Sequence, residues 1–228
     1  MFYLIPRLLR YVSNAVRSNV IAEVSYSILL AVCAFWLGAC PFSLWVGRWC
    51  LGKDIRDYGD GNPGGMNVLR AGGRKSFCLA AILEPGKGVP FVVLAHTLFA
   101  FPEAIVMAVG LSAILGNAFS PFLGLKGGKS IGVTFGVLFA LPQHEILITF
   151  AVFLFLGFLF IAIDAWIVMF GAAGSLAYLL TTRGSSWESL FMLCVLIVLA
   201  VKHFNDLQTI PRPGGRLIHW LQSRRWET

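Results

Sequence analysis

Seven apolar stretches, at residues 27–48, 76–98, 103–122, 130–142, 145–163, 165–182 and 187–202, constrain this chain more than any other feature. A helix crosses the hydrocarbon of a bilayer in about 20 residues, and most of these stretches approach that length. Backbone in lipid has to satisfy its own hydrogen bonds, so each stretch is predicted to be helical. The expected fold is an all-α integral membrane protein of about seven spans, forming one domain over residues 26–209. Composition agrees, since 57% of the 228 residues are hydrophobic and 13% are charged, about half the charge of a soluble domain.

Two of the stretches are irregular. Residues 76–98 contain Glu84-Pro85-Gly86-Lys87-Gly88, so that span is predicted to break or kink. Glu84 and Lys87 are intramembrane polar residues, and charges in hydrocarbon face a cavity or each other. Residues 130–142 are too few to cross at full depth and read as a half-helix shielded by its neighbours. Residues 1–25, with Arg7, Arg10 and Arg17 among apolar side chains, read as an interfacial segment. Residues 210–228 are a basic tail. Leu37-Gly38-Ala39-Cys40 resembles a lipoprotein cleavage box, but apolar sequence continues on both sides, as in a permanent helix. The five cysteines include no Cys-x-x-Cys pair and are expected to be free, buried thiols. No metal and no cofactor is expected.

The net charge of +7 is unevenly placed. If the spans alternate, loop 49–75, loop 123–129 and the tail share one face, which then carries Lys53, Arg56, Arg70, Arg74, Lys75, Lys126, Lys129 and Lys202. The positive-inside rule makes that face cytoplasmic. In a membrane protein such charge points to anionic lipid headgroups and not to nucleic acid.

Three polar elements fall on that face. Loop 57–70 offers backbone N–H groups together with Asn62, Gly64, Asn67 and Arg70, the makings of an anion-binding nest. Loop 124–129 brings Lys126, Gly127, Gly128 and Lys129 to a helix start, where the dipole favours anions. It is not a P-loop, because the position of the first glycine is Leu123. His203 closes the last span near Asn205 and Asp206, and histidine can act as a base near neutral pH. A flexible turn, a positive-inside anchor and a helix-end surface group are the plain alternatives for the three.

Taken in order, these elements resemble the motifs of a bacterial family of membrane acyltransferases that move an acyl group from acyl phosphate to glycerol 3-phosphate. The first motif is similar to Gly59-x-Gly61-Asn62-x-Gly64-x-x-Asn67-x-x-Arg70, followed by Gly73-x-Lys75 and by Glu84, Lys87 and Gly88. The second resembles Phe122-x-x-x-Lys126-Gly127-Gly128-Lys129, and the third, His-x-x-Asn in the family, is here His203-x-x-Asp206. The likeness covers about residues 28–209. It implies a seven-span protein of the bacterial plasma membrane with its site on the cytoplasmic face. Acyl phosphate and glycerol 3-phosphate would be the substrates, and lysophosphatidic acid and inorganic phosphate the products. Asn62, Gly64, Asn67, Arg70, Lys126, Gly127, Gly128 and Lys129 would hold phosphate. His203 would orient or deprotonate the acceptor hydroxyl, with Asp206 as its partner.

The departures concentrate on the same motifs. Asp60 stands where the family has serine, Asn117 where it has the histidine of Gly-His-x-Phe-Pro, and Asp206 where it has asparagine. Phe204 replaces the usual Arg or Lys, and Gly38-Ala39-Cys40-Pro41 replaces Gly-Ser-x-Pro. A carboxylate at position 60 repels a dianionic phosphate unless Arg70 or the lysines neutralise it. Two other readings stay open. One is a member without this reaction that binds lipid or a partner. The other is a transporter, which the broken and short spans suit but the lack of an internal repeat does not.

Overall fold

The structure, a computed structural model, describes residues 4–210, with side chains from residue 20 onward. Its regular elements among the described residues are helical. Helix α1 runs Leu4–Ala39 and α2 runs Phe42–Leu51. No proline or glycine lies between Arg7 and Leu37, so nothing in the chain stops α1 at the expected boundary near residue 25. The interfacial segment and the first span are one continuous helix. It ends instead at Pro41, which has no N–H with which to continue it.

A short loop and α3, Gly65–Arg70, lead to α4, Arg74–Gly86. The predicted break in the second span follows. Pro85 sits in the last turn of α4, and the chain resumes at α5, Pro90–Val93, which continues as a π-turn over Leu94–Leu98. Then come α6, Glu103–Ala118, α7, Ile131–Ala140, and α8, His144–Phe160. The described chain closes with α9, Asp164–Arg183, α10, Trp187–Lys202, and α11, Phe204–Leu207. Residues 211–228 of the expected tail lie outside the described residues.

All seven apolar stretches are therefore helical. Among the described residues, Val20–Leu51, Arg74–Leu98, Glu103–Leu123 and Asp164–Arg183 are long and apolar enough to cross a membrane. Helix α7, with 10 residues, rises only about 15 Å, the half-span its length predicts. The outer surface is apolar as well, with Ile28, Ile148, Phe155 and Ile197 each more than half exposed. Contiguous apolar surface of this kind faces lipid. All five cysteines are free, but Cys50 and Cys78 are exposed and the others half-buried, so none is the buried thiol expected.

Helices in lipid gain little from hydrophobicity and associate through close packing and a few polar contacts. Small residues serve α1 and α6, where Ala34 and Ala113 are almost wholly buried. A Cβ at Gly136 of α7 would fall on the Pro85 carbonyl oxygen, so only glycine lets the half-helix lie against the break in the second span. Leu138 of α7, Ile146 and Phe150 of α8, and Met192 and Leu199 of α10 belong to one buried core cluster. Arg183 ties α8 to α10 at the end away from the glycine-rich loops, through Glu145 at 2.7 Å and Glu188.

The Glu84–Lys87 pair has a definite place. Lys87, 3% exposed, donates to Glu84 at 2.8 Å and to the Cys40 carbonyl at 3.0 Å. Glu84 accepts from Ser43, from its N–H at 3.2 Å and its hydroxyl at 2.8 Å. Ser120 donates to the Ala39 carbonyl at 2.6 Å. Helix ends leave such groups without intrahelical partners. The three side chains thus satisfy both sides of the α1–α2 break.

Candidate active site

Loop 57–70, the starts of α7 and α9, and His203 surround a cavity of about 480 Å³. The loop is shaped from within by Asn67, which is 1% exposed. Its amide nitrogen donates to Asp60 Oδ1 at 2.9 Å and to the Asn62 carbonyl at 2.8 Å, while its oxygen accepts from Arg70 at 2.9 Å. Both ends of Asn67 are spent inside the loop. It positions Asp60 and Arg70, and is not itself an open phosphate donor as predicted.

Lys129 is the centre of charge. Its Nζ lies 2.7 Å from Asp60 Oδ2 and 2.7 Å from Asp206 Oδ2, joining three segments that are far apart in sequence. Arg70 adds a longer contact to Asp60, 3.4 Å. Burial alone would raise the Asp60 carboxyl, but the Lys129 ammonium, the Asn62 N–H and the Asn67 amide outweigh it and hold Asp60 below the usual carboxylate range. Burial likewise works against the Lys129 ammonium, and its bonds to Asp206 and Asp60 more than reverse that, raising it. The carboxylate at position 60 is neutralised, the condition the sequence set for a phosphate to enter.

His203, 2% exposed, follows the last residue of α10. Its Nδ1 is 2.8 Å from the Leu199 carbonyl. A carbonyl can only accept, so the proton sits on Nδ1 and the neutral ring keeps a bare Nε2, the nitrogen that can take a proton. Burial lowers the pKa of His203, the Leu199 carbonyl opposes this, and Lys129 lowers it again against Asp206 and Asp60. The ring is therefore neutral at pH 7. Asp206 is not its hydrogen-bond partner as expected, because the carboxylate is turned to Lys129.

The α7 entrance is held by backbone contacts. A Cβ at Gly127 would strike the Asn117 carbonyl oxygen, and that same oxygen accepts the Gly128 N–H at 3.0 Å. Asn117 also donates to Ser130 Oγ at 2.8 Å, where the family pattern has a histidine. The first N–H groups of α7, at Ile131 and Gly132, border the cavity with no carbonyl one turn earlier to bind.

Of the residues singled out from sequence, Asp60, Asn62, Gly64, Asn67, Arg70, Glu84, Gly128, Lys129 and His203 line this cavity. Asp206 reaches it through Lys129. Lys126 does not: it is exposed and not among the lining residues, while Gly127 shapes the loop and Lys87 serves the helix break. Sequence reasoning missed Ser130 and Asp164 as lining residues. Asp164 begins α9 on the motif-bearing face, so the same alternation of spans would have found it.

Comparison with known proteins identifies the family and the fold. A family model described as glycerol-3-phosphate acyltransferase matches residues 28–212. A glycerol-3-phosphate acyltransferase of Neisseria meningitidis serogroup C (strain 053442) is 31% identical over 177 residues, 76% of this chain and 88% of the relative. One from Synechococcus sp. (strain JA-2-3B'a(2-13)) is 37% identical over 163 residues, 67% of this chain and 80% of the relative. Among solved structures, the integral membrane glycerol 3-phosphate acyltransferase PlsY (YgiH), in its glycerol 3-phosphate form, superposes with a TM-score of 0.72 at 23% identity. That match covers 86% of this chain and 98% of the solved one, and establishes a shared fold. This chain belongs to the glycerol-3-phosphate acyltransferase family.

Proposed function

We propose that this protein transfers an acyl group from acyl phosphate to glycerol 3-phosphate in a bacterial plasma membrane, with its cavity open to the cytoplasm. The observation that carries this reading is the convergence of Arg70, Lys129, the α7 N-terminus and a neutral His203 on one cavity. Two cations and free N–H groups suit a phosphate. The bare Nε2 suits a hydroxyl that has to lose its proton.

The acceptor hydroxyl oxygen attacks the acyl carbon and forms the ester bond. The bond from that carbon to the phosphate oxygen breaks, phosphate leaves, and the hydroxyl proton passes to Nε2 of His203. Acyl phosphate is already activated, so placing the reactants and neutralising charge supply much of the rate. Among the relatives, a second PlsY structure is described as a lysophosphatidic acid form, the product this reaction gives.

Purified protein in lipid, supplied with acyl phosphate and glycerol 3-phosphate, is expected to release inorganic phosphate and lysophosphatidic acid in equal amounts. Absence of product with acyl phosphate and with other activated acyl donors would remove the enzymatic reading. Product formed only from another donor would correct the donor alone.

A further inference from the structure

We propose that Asp60 makes the phosphate subsite selective for a singly protonated phosphate ester, so that glycerol 3-phosphate is taken as its monoanion. This rests on the acyl-transfer reading, since it concerns the acceptor of that reaction.

The two oxygens of Asp60 are unequally used. Oδ1 accepts from the Asn62 N–H at 3.3 Å, from Asn67 at 2.9 Å and from Arg70 at 3.4 Å. Among the described residues Oδ2 accepts only from Lys129, at 2.7 Å, and the side chain, 36% exposed, lines the cavity. A carboxylate oxygen has two lone pairs, so Oδ2 keeps one open acceptor position. The ligand group that fits it is a donor. A monoprotonated phosphate ester has one, its P–OH, and its remaining two oxygens accept from the third N–H of Lys129 and from the unspent nitrogens of Arg70. A dianion has no proton to give and sets a charged oxygen against Oδ2.

The charges point the same way. Lys129 and Arg70 are balanced by Asp60 and Asp206, so no net positive charge remains to favour a second negative one. The other charged groups around the cavity do not change this. Glu84 is committed to Lys87 and Ser43, Asp164 adds a negative charge at the rim, and His203 is neutral. Acyl phosphate fits the subsite less well, because an anhydride phosphate is the stronger acid and gives up its last proton more readily.

The test is acyl transfer by the full chain in lipid, with KM and kcat for glycerol 3-phosphate measured from pH 6.5 to 8.5. A phosphate monoester loses its last proton near pH 6, so the monoanion fraction falls about tenfold from pH 7 to pH 8. The KM for total glycerol 3-phosphate is expected to rise about tenfold over that interval while kcat does not follow. Glycerol 3-sulfate, singly charged but without a proton to donate, is expected to compete at least about tenfold more weakly than glycerol 3-phosphate at pH 6.5. Asp60→Ser is expected to flatten the KM profile and admit the sulfate ester. A wild-type KM that is flat or falls with pH, or equal competition by the sulfate ester, overturns the inference while turnover still upholds the acyl-transfer reading. These two wild-type measurements decide the matter even if Asp60→Ser does not fold. No turnover at any pH removes both.

Discussion

Lys87 donates from 3.0 Å to the main-chain carbonyl of Cys40, 47 residues earlier and in the break between α1 and α2. There that carbonyl also accepts the Phe42 N–H at 3.0 Å, but no helical N–H one turn on. A buried ammonium in the membrane thus stands in for a missing helical N–H, and Glu84 balances its charge.

Removing one member of this pair strands the other. Lys87→Met leaves the Glu84 carboxylate, 14% exposed, facing a carbonyl with no cation between them, and should destabilise the protein by about 3–5 kcal/mol. The double variant with Glu84→Gln should recover a large part of the loss. Melting temperatures of the four proteins in one lipid environment check this; equal losses in the single and double variants would sink it.

The two lysines of the second motif should separate sharply. Lys129→Ala removes the group that joins Asp60 to Asp206 and that the proposed reaction sets against the substrate phosphate, so kcat/KM should fall by about 10²–10³. Lys126→Ala, outside the cavity, should leave it near the wild-type value. Steady-state kinetics on both variants decides, and equal losses would put Lys126 back in the site.

Gly127→Ala forces the loop off the Asn117 carbonyl. A displacement of an ångström at the α7 entrance is expected to lower kcat/KM about 10²-fold, with little change in membrane insertion. A variant of full activity would show that the loop yields at no cost.

His203 makes stability depend on pH. Burial holds its pKa below the usual value, so the unfolded chain binds the proton more readily than the folded one. Its contribution is complete above the unfolded pKa, about 6.5, and is lost as pH falls below that value. His203→Gln should flatten the melting temperature between pH 7 and 5 and lower kcat by about 10²–10⁴. Parallel thermal profiles for the two proteins would exclude His203 as the source.

The convergence of the site was legible because alternating spans place every second loop on one face, whatever the details of packing. The break at Pro85 and the shortness of α7 were legible for a similar reason, since proline and length act locally. What the sequence hid was set by side-chain direction. Asp206 is three residues from His203 and reads as its partner, yet its carboxylate meets Lys129, 77 residues away in sequence. Lys126 and Lys129 look equivalent, but at the turn into α7 Lys126 is exposed and only Lys129 lines the cavity. The chain entered α1 without a boundary because the arginines that suggested an interface do not break a helix.

Pro41 shows what an optimiser of local propensity would do to this protein. Alanine there scores better in a helix and would let α1 and α2 fuse. The fused helix would reclaim the Ala39 and Cys40 carbonyls and the Ser43 N–H for itself. Ser120 would then lose its acceptor and the Lys87–Glu84 pair its backbone contacts in a nonpolar medium, and Glu84 borders the cavity. A substitution that mends the helix would dismantle the wall of the site, so the flaw in α1 is the part of that helix least free to vary.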